Sequence, residues 1–81
     1  MIDPLSPTPL YVQLADLIAA QIKRGELKPR QPLPSETTLR QQYGVSRGTV
    51  RAAVRLLRDR GVIVTIRARG SYVAPKPAKP K

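Results

Sequence analysis

The 81-residue chain carries 15 Lys and Arg against 5 Asp and Glu, with no His and no Cys, for a net charge of +10 at neutral pH. That inventory excludes disulfide frames, thiolate or imidazole metal sites and Ser-His-Asp triads. A chain this short builds one modest core and no cofactor-burying cleft. No apolar run is long enough to span a bilayer, and no charged segment leads into an apolar one at the N-terminus. The expectation is a soluble cytoplasmic module without a cofactor, whose excess charge faces something negative.

The charge is not evenly spread. Residues 1–39 balance to zero, whereas residues 40–81 hold 8 Arg and 3 Lys against Asp59 alone. Such asymmetry points to a polyanion-facing surface. In chain order, Pro4, Pro7 and Pro9 make residues 1–8 an extended, flexible arm. Thr8 as N-cap and Pro9 at the first helical position predict a helix start. Apolar residues at Leu10, Leu14, Leu17, Ile18 and Ile22 give that helix one stripe, and Gly25 closes it. Pro29, Pro32 and Pro34 break the next segment into a connection with room for a short edge strand. Ser35 caps a second helix, with Glu36 in its first turn, running to Tyr43 and stopping at Gly44. Ser46 caps a third, which ends at Gly61. The β-branched run Val62–Ile66 predicts a strand. Arg67–Gly70 is a turn and Ser71–Val73 a returning strand. The Pro/Lys-rich residues 75–81 are expected to be disordered, leaving 9–74 as the folded unit.

The third helix carries the chemistry. At 100° per residue, Arg47, Arg51, Arg55 and Arg58 share a strip about 80° wide, and Val50, Ala53, Val54 and Leu57 form an apolar strip beside it. One flank packs on a core while the other offers guanidiniums, whose planar forks suit guanine edges and phosphates. Like charges at i, i+4 repel, which an anion over the strip would relieve. The helix starts with Ser46, Gly48 and Thr49, small or hydroxylated residues around backbone amides that attract phosphate. Gly48 in a first turn costs up to about 1 kcal/mol against Ala, a choice explained either by tolerance near a helix end or by close approach of DNA. Helix, Gly-containing turn and basic helix make a helix-turn-helix, and the following hairpin tipped with Arg67 and Arg69 makes a wing. The fold class is thus α+β: a winged helix-turn-helix of three helices plus a C-terminal β-hairpin.

Pro9-Leu10-Tyr11, Gly25-Glu26-Leu27-Lys28-Pro29, Leu33-Pro34-Ser35-Glu36, Tyr43-Gly44-Val45-Ser46-Arg47, Thr49-Val50-Arg51 and Arg69-Gly70-Ser71-Tyr72-Val73 occur in that order. Over about Pro9 to Val73 the chain resembles the N-terminal winged-helix DNA-binding domain of the GntR (gluconate-repressor) family of bacterial transcription regulators. The resemblance implies that Arg47 contacts a guanine in the major groove and Arg51 meets DNA on the same surface. It also implies that Ser46 and Thr49 lie at phosphates and that the wing turn from Arg67 to Gly70 follows the minor groove. Three positions depart from the family pattern. Thr37 stands where an arginine often contacts bases, so that contact is expected to be lost or weakened. Arg40 replaces a small residue between two helices, and either extends outward or holds the pair apart. Ala68 replaces a wing glycine, which leaves the turn type open. Family members usually carry a C-terminal effector-binding domain. None is read here, so the chain is taken as a stand-alone short member or one domain of a longer protein, with no small-molecule effector implied.

The candidate DNA-binding residues are Ser35, Thr37, Ser46, Arg47, Gly48, Thr49, Arg51, Arg55, Arg67, Arg69 and Gly70. The expected function is sequence-specific binding of double-stranded DNA in transcription regulation, in the bacterial cytoplasm at the nucleoid, by a monomer or by a homodimer on an inverted repeat. Two alternatives stand beside it: an architectural DNA-binding protein with little sequence preference, and a winged-helix protein-interaction module. Single-strand binding wants aromatic platforms, and only Tyr11, Tyr43 and Tyr72 are present. No Trp/Phe face flanks the basic strip, so no membrane partner is expected.

Overall fold

A computed structural model of the chain describes residues 2–75, with α1 at Leu10–Lys23, α2 at Glu36–Tyr43, α3 at Arg47–Asp59, β1 at Ile63–Ile66 and β2 at Gly70–Val73. Apart from Pro75, the tail expected at 75–81 lies outside the described residues. Each later helix opens on a serine. The Ser35 hydroxyl accepts the Thr38 amide and the Ser46 hydroxyl accepts the Thr49 amide, satisfying an amide that the helix itself cannot pair.

The start of α1 differs from expectation. Pro9, not Thr8, is the N-cap, and no side chain caps the helix. Pro9 is extended at φ −55°, ψ 147°, and its carbonyl accepts the amides of Val12 and Gln13. Proline's fixed φ suits this position as well as the first helical one, so sequence alone misplaced the boundary by one residue. Gln13 supplies the missing order. Its amide nitrogen donates to the carbonyls of Thr8 (2.8 Å) and Asp3 (2.9 Å), and its amide oxygen accepts the Asp3 amide (2.7 Å). The arm bends back over α1 instead of extending, and Ile2 packs against the core.

The core gathers Leu14, Ala15 and Ile18 of α1, Leu39 of α2, Val50, Ala53 and Leu57 of α3, and Ile63 and Val73 of the hairpin. The buried side of α1 is rotated from the predicted stripe. Ala15 is fully buried, whereas Leu10 and Leu17 are only half-buried. Ala15 and Ala53 both show 0% exposure on the two helices that pack together, and a methyl at such a position allows a closer helix approach than a leucine. Leu14 and Ile18 of the predicted stripe remain buried, and the small size of Ala15 brings it in beside them.

Two glycines turn the chain between elements. Gly44 at φ +65° ends α2 and starts the corner into α3. Gly61 at φ +80° lets Val62 donate to the Leu57 carbonyl (3.2 Å) and itself donates to Arg58 (3.0 Å), closing α3 and launching β1. The strands pair antiparallel, Ile63 opposite Val73 and Ile66 opposite Gly70. In place of the short edge strand there is a single bridge, with a few backbone hydrogen bonds around it. Arg30 and Leu33 donate to the carbonyls of Val73 (2.9 Å) and Ser71 (3.0 Å), Val73 donates to Gln31 (2.8 Å), and Pro32 bridges Tyr72. Prolines are tolerated there because the segment runs along the edge of the sheet. At the tip, the Arg69 amide donates to Ile66 (2.9 Å) around Ala68 at φ +68°. A four-residue turn with positive φ only at its third position is of type II, which favours glycine there. An L-residue in this region costs about 1–2 kcal/mol. Ala68→Gly is therefore expected to stabilise the hairpin by up to about 1 kcal/mol after the added chain entropy of glycine is subtracted. Hydrogen-exchange protection of the Arg69 amide should rise. Unchanged or lower protection would show that the turn is unstrained.

Candidate nucleic-acid interface

The two flanks of α3 separate as the periodicity predicts. Val50, Ala53 and Leu57 are buried, and Arg47, Arg51, Arg55 and Arg58 are all exposed. At the N-terminus the Ser46 hydroxyl both accepts the Thr49 amide (3.1 Å) and donates to Thr49 Oγ1 (3.0 Å). Thr49 thereby keeps its own hydroxyl proton to give away. The amides of Arg47 and Gly48 have no carbonyl in the helix to reach. Ser35 and Thr38 repeat the arrangement at the start of α2.

Glu36, expected only to complement a helix dipole, does more. Its carboxylate accepts the Nε–H of Arg51 at 2.8 Å and lies 3.5 Å from Nε of Arg47. One acid on α2 thus faces two arginines on α3. Exposed ion pairs contribute little stability, so the effect is chiefly geometric. Each guanidinium turns its Nε edge to the protein, leaving its terminal nitrogens without a hydrogen bond among the described residues. The hydrogen bond from Arg51 holds the Glu36 carboxyl below the usual carboxylate range. Partial desolvation opposes this, and the charges of Arg51, Arg47 and Arg40 reinforce it.

Arg55, Arg69 and Gly70 meet across a cleft of about 570 Å³ between α3, the start of α2 and the wing, which Ser35 and Glu36 also line. Arg67 stands apart from that cleft, exposed on the turn. Thr37 is exposed beside a shallower depression shared with Arg40, Gln41, Gly44 and Val45. Arg40 is exposed, so it extends outward. At Gly48 an added Cβ would meet only Ser46 Oγ, at 3.9 Å. Nothing among the described residues requires glycine there.

A helix-turn-helix corner, a basic helix seated by its apolar flank and an arginine-bearing hairpin define a winged helix-turn-helix protein. Residues 10–73 match the gntR family of bacterial regulatory proteins, and the chain belongs to that family. It is 42% identical over 80 residues to the HTH-type transcriptional repressor NagR of Bacillus subtilis, a match covering 99% of this chain and 31% of that protein. It is 51% identical over 65 residues to the mannosyl-D-glycerate transport/metabolism system repressor MngR of Escherichia coli, covering 80% of this chain and 27% of the relative. The chain therefore spans about a third of the length of these curated relatives. Among solved structures, YtrA from Sulfolobus acidocaldarius, a GntR-family transcription factor, superposes with a TM-score of 0.85 at 42% identity, over 94% of this chain and 80% of the other. AraR(DBD) in complex with operator ORX1 superposes with a TM-score of 0.81 at 37% identity, over 91% and 92%.

Two expectations follow. Gly48→Ala should raise folding stability by about 0.5–1 kcal/mol, through helix propensity, while weakening duplex binding. Denaturation and DNA titration of one variant test both, and a gain in stability with unchanged affinity would show that no backbone approach occurs at Gly48. Glu36 gives a pH signature. Because folding lowers its pKa, its stabilising contribution is complete above the unfolded value, about 4.3, and fades as pH falls through the folded value. Unfolding followed from pH 7 to pH 3 should show a steeper acid loss for the wild type than for Glu36→Gln. Parallel profiles would mean that the ion pairs do not persist in solution.

Proposed function

We propose that this chain is the sequence-specific, double-stranded DNA-binding part of a bacterial transcription regulator, with the start of α3 in the major groove and the wing at the adjacent minor groove. The observation that carries this reading is the placement of Arg47 and Arg51. Both project from the leading end of a helix anchored by its opposite flank, and both are braced on Glu36 with their terminal nitrogens unbonded among the described residues. Arg47 reads a guanine, Arg51 meets DNA beside it, and the Thr49 hydroxyl with the first amides of α3 takes a phosphate. Arg67 lies at the minor groove, whose negative potential attracts arginine. The operator in the AraR(DBD) complex supports duplex DNA as the ligand. The repressor relatives support a role in transcription over an architectural one.

The reading extends to a folded unit of residues 9–74 between an arm and a basic tail, located in the bacterial cytoplasm. Two copies bind an inverted repeat, and residues 1–81 themselves bind no small-molecule effector. Selection of bound duplexes from a random pool tests it. A defined motif is expected, and its symmetry reports the number of copies. Arg47→Ala should cost about 1–3 kcal/mol and relax preference at one base pair. A loss uniform across sequence variants would assign Arg47 to phosphate instead.

A further inference from the structure

The four exposed arginines of α3 fall into two electrostatic classes. Arg47 and Arg51 share the Glu36 carboxylate, whereas Arg55 and Arg58 form no ion pair among the described residues. Arg58 is nevertheless held in place. Its Nη1 donates to Thr65 Oγ1 at 3.2 Å, and Thr65 Oγ1 lies 3.2 Å from Ser71 Oγ. Thr65 and Ser71 are directly paired across the hairpin, so their hydroxyls stand on one face of the wing. Two neutral hydroxyls orient the guanidinium without cancelling its charge. A carboxylate would orient and neutralise it together.

This oriented, uncompensated charge belongs to the cleft between α3 and the wing, where Arg51, Arg55 and Arg58 face Arg69 and Ser71. Among the described residues Glu36 is the one acid in the lining, and it is already shared between two arginines. Leu33, Pro34 and Val54 give the cleft an apolar side. Concave, low-dielectric walls concentrate a positive field. On a duplex, a major groove and the next minor groove are divided by one sugar–phosphate strand. A protein that enters one groove with a helix and the other with a wing must straddle that strand, and the space between α3 and the wing is this cleft.

We infer that the cleft seats the phosphodiester chain dividing the two grooves, with Arg58, set by Thr65 and Ser71, as the central phosphate contact and Arg55 and Arg69 beside it. The inference rests on the DNA-binding reading above and adds to it a residue outside the recognition end of α3, together with the two wing hydroxyls that position it. The cleft ties the helix and the wing to one strand at a fixed offset.

The test uses the selected duplex with a single methylphosphonate, which lacks the phosphate charge, moved one position at a time. Wild-type protein should lose roughly tenfold in affinity at one or two phosphates between the recognised major-groove bases and the adjacent minor groove. Arg58→Gln should lose similar affinity on the unmodified duplex, become indifferent to the substitution at those phosphates, and show a salt slope lower by about one. Thr65→Val, which leaves the arginine in place, should give a smaller loss at the same phosphates with the base preference unchanged. Circular dichroism of both variants separates these effects from misfolding. Equal sensitivity of wild type and Arg58→Gln at every phosphate overturns the seat while leaving sequence-specific binding intact. Failure of the wild type to prefer any duplex overturns the DNA-binding reading itself. Inorganic phosphate, titrated without DNA, supplies the remaining arm. Saturable millimolar binding abolished in Arg58→Gln, with no methylphosphonate effect, would reassign the cleft to a free phosphate ligand.

Discussion

Close packing of α1 against α3 is the constraint on which the remaining geometry depends. Ala15 and Ala53 lie fully buried on those two helices, with Leu14, Ile18, Val50 and Leu57 around them. Contacts of α3 with α2 and β1 add to this one, and together they fix the rotation of α3 about its axis. A larger residue at either alanine would overpack the contact, at a typical cost of about 1–3 kcal/mol. It would also turn the arginine strip, because the apolar and basic flanks of a helix cannot be re-aimed independently.

That strip is a local liability. Arginines four residues apart repel, so α3 taken alone is weakened by its own charge. The neighbouring elements meet it differently according to position, and relieve it only near the start of the helix. Near the start of the helix, α2 supplies a carboxylate that Arg47 and Arg51 share. Further along, the wing supplies hydroxyls, and the charge of Arg58 is left whole. At the far end, Arg60 is paired with Asp16 of α1 at 3.0 Å, which fastens the last turn to its neighbour. Neutralisation, orientation and anchoring thus follow one another along a single helix.

Much of this was legible in the sequence, and the exceptions have physical reasons. Helix ends were readable because Ser35, Ser46, Gly44 and Gly61 act on their own neighbours, within a few residues. The arginine strip was readable because helical periodicity alone places it. The buried side of α1 was less so, since hydrophobicity ranks Leu10 and Leu17 above Ala15 and only the facing helix reveals that a small residue is wanted. Thr8 was misread because a proline next to a threonine fits two adjacent positions equally well. Glu36 meeting Arg47 and Arg51, and Arg58 meeting Thr65, depend on the angles between elements, and no local pattern encodes those.

Strand β2 is hydrogen-bonded on both sides near its end, by β1 and by the residues around Pro32. Beyond Ser71 the backbone hydrogen bonds on the outer side cease, and the pairing to β1 continues to the turn with the Tyr72 hydroxyl donating to the Arg69 carbonyl at 3.4 Å. The hairpin is therefore a cantilever with a clamped root. Its compliance is concentrated in the few residues on either side of Ala68, so deflection at the arginine-bearing tip leaves Thr65 and Ser71, close to the clamp, nearly undisturbed.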